Sequence, residues 1–319
     1  MSRIYEALQK AESERKSERR EPEPRLPEHP VSAAIGAAAA LAEPEERIPE
    51  PAYTDTYREP YIPQQVLGES LDMNKIPLHP WALSLVQLPA LLERGPSVEQ
   101  FRSLRSRIFE LRDISPLKTI LVSSGMPQEG KSFISTNLAL SLARHKNSKV
   151  LLIDGDMRRY TLHQILGCES HPGLADYLAG KATVLEVMQR PEPLQGLGAE
   201  ATPILPNLTF IAGGNGGDRA ADLSGSPRFG ELIRTAAPYF DWIIVDSSPV
   251  LPVSDAVNLA RWCDGVLLVA RGGVTKYPVA QRAQSELKAS KVLGFVLNAV
   301  QEHPEVGNYY GYGYDSNKQ

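Results

Sequence analysis

A glycine-rich loop followed by lysine and serine is the clearest chemical signal in the sequence. Gly125, Gly130, Lys131 and Ser132 match the pattern G-x-x-x-x-G-K-[ST] in full. Glycines allow backbone N–H groups to surround a polyphosphate, and the start of the following helix adds partial positive charge. We predict that the lysine reaches the outer phosphates and that the serine hydroxyl binds Mg²⁺. The alternative is a chance glycine loop. The residues of this loop that we expect to contact the nucleotide are Gly125, Met126, Pro127, Gln128, Glu129, Gly130, Lys131, Ser132 and Phe133.

Three aspartates follow apolar runs that are typical of buried strands. Asp154 and Asp156 come after the run 149–153, and Asp246 comes after the run 241–245. The carboxyl ends of parallel strands open into the crevice where such sheets bind ligands. Carboxylates there can hold Mg²⁺ or accept the proton of a hydroxyl group. The alternative is that they only cap helices in polar turns. With the loop, they predict a site for ATP and Mg²⁺.

Alternating strand and helix patterns position these residues. The pattern predicts an α/β fold of the P-loop NTPase type, doubly wound, with a mainly parallel sheet covered by helices on both faces. Asn298 ends the last predicted strand, where we expect the nucleotide base. Residues 160–206 predict only short helices and loops. The predicted strands are 119–122, 149–153, 208–211, 241–245, 265–270 and 292–297, and the predicted helices include 97–111, 133–142, 226–237 and 279–287.

Composition divides the chain into four parts. Residues 1–12 predict a short amphipathic helix, either frayed or docked on a partner. Residues 13–95 predict a largely disordered linker rich in Pro, Glu, Arg and Ala. Residues 96–301 predict the nucleotide-binding domain, and residues 302–319 a tyrosine-rich tail.

The charge and the apolar content of the chain limit which kinds of partner we expect. The formal net charge of -4 gives no general reason to expect nucleic acid binding. Two cysteines form no metal or disulfide pattern, so we expect a reducing cytoplasm. The apolar stretch 31–42 is shorter than the roughly 20 residues that span a bilayer. We therefore expect no transmembrane segment, and membrane attachment only through a partner.

Two further motifs have less certain chemistry on their own. Glu99, Arg102 and Arg105 recur at steps of three on the predicted helix 97–111, which is also the pattern of a solvated charged face. The tail carries four clustered phenols, suited to presentation to an active site or simply part of a disordered segment. These phenols belong to Tyr309, Tyr310, Tyr312 and Tyr314.

Together these motifs resemble those of the bacterial tyrosine kinase family, the autokinases of exopolysaccharide and capsule export. The likeness covers the chain from about residue 97 to its end. It consists of S-x-x-P-x-E-G-K-S from Ser124 to Ser132, D-x-D-x-R at Asp154, Asp156 and Arg158, D-x-x-P at Asp246 and Pro249, and E-x-x-R-x-x-R at Glu99, Arg102 and Arg105. Two departures are Ser248, where many relatives have proline, and a segment 213–225 rich in Gly, Asp and Ala.

The resemblance implies an ATP-dependent protein tyrosine autokinase. It implies Lys131, Asp154, Asp156 and Asp246 as candidate catalytic residues, with Ser132 and the three aspartates around Mg²⁺ and Arg158 beside the nucleotide. Asp154 is implied as the acceptor of the tyrosine proton, although the sequence does not divide its role from that of Asp156. The four tail tyrosines are implied as autophosphorylation sites that reach a neighbouring copy.

The resemblance also implies partners. Glu99, Arg102 and Arg105 would contact the next subunit of a ring-like homo-oligomer. A membrane polysaccharide co-polymerase would hold the kinase at the inner face of the cell membrane.

Two other functions remain open from the sequence. One is an ATPase switch like the Min and Par positioning proteins, which usually carry a lysine after the first glycine of the loop, where this chain has Met126. The other is a scaffold of the co-polymerase, in which nucleotide serves only assembly.

Overall fold

The structure, a computed structural model, describes residues 71–145, 148–192, 205 and 207–300. The predicted N-terminal helix, residues 13–70 of the predicted linker and the tyrosine tail lie outside the described residues. The strands are β1 (Leu78–His79), β2 (Thr119–Ser124), β3 (Val150–Asp154), β4 (Met188–Pro191), β5 (Leu208–Ile211), β6 (Trp242–Asp246), β7 (Gly265–Arg271) and β8 (Val292–Asn298). The α-helices are α1 (Pro96–Ile114), α2 (Lys131–Ala143), α3 (Leu162–Leu166), α4 (Leu174–Leu178), α5 (Val184–Val187), α6 (Ala220–Ser224), α7 (Arg228–Ala236), α8 (Asp255–Ala260) and α9 (Tyr277–Glu286).

The strands of the described ranges form one sheet in the order β1-β4-β5-β3-β6-β2-β7-β8. The pairs from β5 through β8 are parallel, whereas β4 runs antiparallel to its neighbour β5 and parallel to β1. β3 and β2 flank β6, so the predicted loop and the three predicted aspartates meet at one edge of the sheet. The predicted α/β fold with a mainly parallel sheet is confirmed.

The central strands are buried on both faces because helices cover each side of the sheet. Every residue of β2, β3 and β6 is buried. Alternate residues enter different cores, as the two-residue period of a strand requires. Leu151 and Ile153 of β3 join one core, while Val150 and Leu152 join the other. Continuous apolar runs were therefore the correct signal for these strands.

The predicted linker 13–95 was wrong at its C-terminal end. Leu88 and Leu91 are buried in the same core as α1 and α2. The side chain of Asn137 donates to the carbonyl of Gln87 at 3.0 Å and accepts from the N–H of Ala90 at 3.1 Å. The prolines that suggested disorder occupy compatible positions, for example Pro89 at the start of a 3₁₀ helix.

The antiparallel strand β4 was not predicted. It has four residues, includes Pro191, and follows directly after α5. Its outer neighbour β1 has two residues and also borders on proline. β1 is the edge strand and β4 is next to it, and runs of two and four residues are too short for an alternating pattern to be recognised.

The described ranges contain no helix that is long and apolar enough to cross a membrane.

Candidate active site

The phosphate loop joins β2 to α2 and has the backbone that the motif requires. Gly130 has φ +94°, in the left-handed region that favours glycine, and Lys131 is the first residue of α2. A Cβ on Gly130 would overlap the side-chain amide of Asn298. The loop therefore ends with the open N-terminus of a helix, which is a suitable cradle for an anion.

A buried carboxylate shapes the inside of this loop. Glu129 is 4% exposed, and its Oε2 accepts from the N–H of Met126 at 2.8 Å. Its Oε1 accepts a hydrogen bond from the hydroxyl of Thr275. Asn298 Nδ2 donates to the backbone carbonyl of Glu129 at 3.0 Å. The predicted nucleotide ligands Glu129 and Asn298 thus hold the loop in shape.

The two residues after the loop each contact one of the predicted aspartates. Lys131 Nζ lies 3.0 Å from Asp156 Oδ2, and the two side chains are 15% and 4% exposed. Ser132 Oγ donates to Asp246 Oδ2 at 2.7 Å. Ser132 and Asp246 are 114 positions apart in the sequence, and the fold brings them into contact.

Asp154 is held by the backbone. Its Oδ1 accepts from the N–H of Asp156 at 3.2 Å, and its Oδ2 accepts from the N–H of Leu162 at 3.1 Å. Complete burial raises the pKa of the Asp154 carboxyl well above its usual range, and the charge of Asp246 raises it further. The two backbone donors favour the ionised form and oppose this shift.

The charges of Lys131 and Asp246 depend on each other. Burial raises the pKa of Asp246 from 3.8 to about 6, although the ammonium of Lys131 and the hydroxyl of Ser132 favour its ionised form. Burial alone would lower the pKa of Lys131, but the charges of Asp246 and Asp156 outweigh it and the pKa is raised. Lys131 therefore stays cationic among three buried carboxyl groups.

The predicted metal ligands do not form a ready cluster. Within the described ranges, no group of three or more His, Cys, Asp or Glu side chains is arranged to hold a metal ion. Asp246 Oδ1 is buried and has no hydrogen-bond partner, beside the Ser132 hydroxyl that its other oxygen accepts from. A hydroxyl and a carboxylate with a free oxygen are a donor set that fits Mg²⁺. Metal binding by Asp154 and Asp156 stays a prediction.

Other predicted nucleotide contacts have a place in the fold. Arg158 Nε donates to Asp255 Oδ2 at 2.7 Å, and Asp255 is 1% exposed at the start of α8. This contact raises the pKa of Arg158. The ring of Phe133 packs against that of Phe101 at 5.7 Å between centroids. Only the backbone of Phe133 is therefore left to contact a nucleotide. Met126, Pro127 and Gln128 are exposed at the tip of the loop.

The predicted interface residues lie on α1. Arg102 pairs with Glu99, as their spacing of three suggested, and also donates to the carbonyl of Glu93. Arg105 donates to the backbone carbonyl of Ser141 at 2.8 Å. These contacts are within one chain, and subunit contact stays a prediction.

Sequence reasoning missed three residues near the site. Thr275 bonds to Glu129, and Asp255 bonds to Arg158. Gly213 allows Tyr160 and Asp154 to pack close to its backbone. A Cβ on Gly213 would lie 2.6 Å from the Cβ of Tyr160 and 3.2 Å from Cγ of Asp154. Asp255 follows Ser254 at the start of an apolar helical pattern, a signal that could have been used. Nothing in the sequence marks Thr275.

Comparison with known proteins gives relatives over the same part of the chain. No protein-family model matches the chain. The EpsB protein of Ralstonia nicotianae is 34% identical over 224 residues, which are 69% of this chain and 27% of EpsB. The chain therefore spans about a quarter of that relative's length.

A shorter relative and a solved structure agree with this likeness. The tyrosine-protein kinase YwqD of Bacillus subtilis is 33% identical over 217 residues, which are 67% of this chain and 86% of YwqD. The kinase domain of the Escherichia coli tyrosine kinase ETK superposes with a TM-score of 0.59 at 28% identity, covering 73% of this chain and 86% of that domain. With its phosphate loop and strand-end aspartates in one crevice, the chain belongs to the bacterial tyrosine kinase family.

Proposed function

We propose that this protein is an ATP-dependent protein tyrosine autokinase that regulates exopolysaccharide polymerisation or export. The observation that carries the proposal is the pair of contacts behind the phosphate loop, from Lys131 to Asp156 and from Ser132 to Asp246. They bring a cation, a hydroxyl and two carboxylates to the end of one helix. Relatives named tyrosine-protein kinases support the choice of a tyrosine as acceptor.

The phosphate loop would bind and orient the nucleotide. Backbone N–H groups between Gly125 and Ser132 would surround the β-phosphate, and Lys131 would leave Asp156 to neutralise the transferring phosphoryl group. Ser132 and the free oxygen of Asp246 would hold Mg²⁺. When bound, Mg²⁺ would offset negative charge on the β- and γ-phosphates.

Asp154 is the better candidate for proton acceptor. A phenol with a pKa of about 10 needs a base to become a nucleophile. Asp156 is paired with Lys131, whereas burial raises the pKa of Asp154 and so favours its taking up a proton. The phenol oxygen would bond to the γ-phosphorus, the bond to the bridging oxygen of ADP would break, and the proton would pass to Asp154.

The acceptor tyrosines would come from the tail of a neighbouring copy. Tyr309, Tyr310, Tyr312 and Tyr314 are the proposed sites, and Glu99, Arg102 and Arg105 the proposed subunit contact. A membrane polysaccharide co-polymerase remains the proposed partner at the cytoplasmic face of the membrane.

The test is phosphotyrosine formation in purified protein. Lys131→Met should abolish the signal after incubation with ATP and Mg²⁺, whereas Lys288→Met, an exposed lysine away from the site, should retain it. Mixing Lys131→Met protein with a variant whose four tail tyrosines are phenylalanine should restore phosphotyrosine on the former, because transfer occurs between copies.

Two outcomes would refute the proposal. Phosphotyrosine that persists in Lys131→Met protein would show that the phosphate loop does not supply the phosphoryl group. Phosphate release by wild-type protein with no modified tyrosine in mass spectra would instead favour an ATPase switch.

A further inference from the structure

Three aromatic side chains lie side by side in the segment that follows β3. The ring centroid of Tyr160 is 5.5 Å from that of His163 and 6.2 Å from that of His171. Tyr160 is half-buried and His171 is exposed, so these rings are partly open to solvent. We call the three side chains the ring cluster.

The ring cluster is a neighbour of the candidate base Asp154. An ideal Cβ on Gly213 would lie 2.6 Å from the Cβ of Tyr160 and 3.2 Å from Cγ of Asp154, so both side chains pack against the same glycine. Asp154 Oδ2 also accepts from the N–H of Leu162, which begins the helix α3 that carries His163. A peptide whose tyrosine reaches Asp154 would therefore pass beside the ring cluster.

The imidazoles of the ring cluster are suited to contact another aromatic ring. Burial lowers the pKa of His163, and the charge of His171 lowers it further, so His163 is a neutral ring near pH 7. His171 Nδ1 lies 3.6 Å from Oδ2 of Asp176, which also accepts from the N–H of Gly173 at 3.0 Å. This contact orients the exposed imidazole. Aromatic rings pack on one another by their faces and edges.

The spacing of the tail tyrosines fits such a contact. Tyr310, Tyr312 and Tyr314 recur at every second position, with a glycine between each pair. In an extended peptide, side chains at every second position point the same way and lie about 7 Å apart. Because Asp154 and Tyr160 flank a single glycine, a step of this length leads from the carboxylate to the ring cluster.

We propose that the ring cluster binds the tyrosine two residues away from the one that is phosphorylated. One phenol of the tail lies over Asp154, and the next phenol of the alternation packs on Tyr160 and His171. The inference rests on the proposed function for the identity of the peptide, which is the tail of a neighbouring copy. The ring cluster thus selects acceptors with tyrosines at alternate positions and positions one of them at the base.

The test measures peptide binding and uses no phosphoryl transfer. The probe is a fluorescently labelled peptide of residues 305–319, bound to full-length protein in ADP and Mg²⁺ and followed by fluorescence anisotropy. The four tail tyrosines of the protein itself are changed to alanine, so that they do not compete. Because no tyrosine is modified, the result is independent of kinase activity and separates the two proposals.

Substitutions in the peptide test the spacing. Tyr312→Ala breaks both tyrosine pairs with a spacing of two, and the lost ring contact should weaken binding about threefold to tenfold. Tyr309→Ala is the matched control, because it removes the same side chain but has glycine at both positions two residues away. It should bind like the unchanged peptide. Tyr312→Phe keeps the ring and should retain most of the affinity.

Substitutions in the protein test the location. His171→Ala should weaken binding of the unchanged peptide by a similar factor. It should also reduce the difference between the unchanged and the Tyr312→Ala peptides, because both changes remove the same contact. Gln164→Ala alters an exposed side chain on α3 and should change nothing. Circular dichroism of each variant checks that the fold is retained.

Three outcomes would overturn the ring cluster as a binding site for the second tyrosine. They are no binding of the unchanged peptide, equal affinities of the Tyr309→Ala and Tyr312→Ala peptides, and a His171→Ala protein that still distinguishes the unchanged peptide from Tyr312→Ala to the full extent. The expected order of affinities in a protein that forms no phosphotyrosine would support the ring cluster and refute the autokinase.

Discussion

The ammonium of Lys131 lies 3.0 Å from Oδ2 of Asp156, and this ion pair is almost completely buried. Asp154 and Asp246 also surround the lysine and raise its pKa. When no nucleotide is bound, Lys131 therefore balances the charge of these carboxylates, although its proposed role is to bind the phosphates. Nucleotide binding exchanges one set of negative partners for another, so the lysine remains paired in both states.

Lys131→Met should destabilise the nucleotide-free protein. The substitution leaves buried carboxylates without a cation, and breaking such a pair costs roughly 3 kcal/mol in the free energy of unfolding. Asp156→Asn in the same chain should recover part of this loss. Urea unfolding of the two single variants and the double variant at pH 7.5 measures the coupling. Additive effects would show that the pair contributes nothing to stability.

Asp246→Asn should have a pH-dependent effect on stability. The pKa of Asp246 is raised from 3.8 to about 6 in the folded protein, so the folded state binds the proton more tightly than the unfolded state. The free energy of unfolding therefore falls as pH rises between these values, and the loss is complete above about pH 6. The substitution should stabilise the metal-free protein by up to about 3 kcal/mol at pH 7.5 and by little near pH 4.

Urea unfolding in EDTA across this pH range tests the effect. The same stabilisation at both ends of the range would contradict a raised pKa of the buried Asp246 carboxyl.

Local patterns predicted most of the sheet, because buried strands leave a long apolar run. The run 241–245 was expected as a strand, and Trp242–Asp246 is the observed β6. The end of such a run also located Asp154 and Asp246 correctly. The phosphate loop was predicted because its chemistry requires fixed residues within a short segment.

Contacts between distant segments could not be predicted. Thr275 and Glu129 are 146 positions apart, and Arg158 and Asp255 are 97 apart. Their pairing depends on how β7 and α8 lie beside the loop, which only tertiary packing determines. The hydrogen bond from Arg105 to the carbonyl of Ser141 has the same origin, since these two residues lie on different helices.

Thr275→Val should weaken nucleotide binding. It removes the hydroxyl that Glu129 Oε1 accepts from, and it leaves a buried carboxylate oxygen without that donor. We expect roughly a tenfold loss of affinity, equivalent to about 1.4 kcal/mol. Thr275→Ser keeps the hydroxyl and should bind like wild type. Titration with a fluorescent ADP analogue gives both affinities, and equal values for Val and Ser would exclude this role of the hydroxyl.

Gly213→Ala should impair phosphoryl transfer more than nucleotide binding. The new Cβ would lie 2.6 Å from the Cβ of Tyr160 and 3.2 Å from Cγ of Asp154, so the candidate base must move. The phosphate loop comes from other segments and should remain intact. Because a displacement of about 1 Å can cost up to about 100-fold in rate, we expect autophosphorylation to slow by roughly 10-fold to 100-fold.

Gly225→Ala is the matched control for this steric argument. Its new Cβ would meet no atom closer than 3.5 Å, so the same change of residue should leave the rate nearly unchanged. Rates of phosphotyrosine formation at saturating ATP, measured with ADP affinity for both variants, separate transfer from binding. If both alanine variants slow the reaction equally, the effect comes from backbone stiffening of the segment 213–225. If Gly213→Ala alone slows it while ADP affinity is kept, the position of Asp154 controls the transfer step.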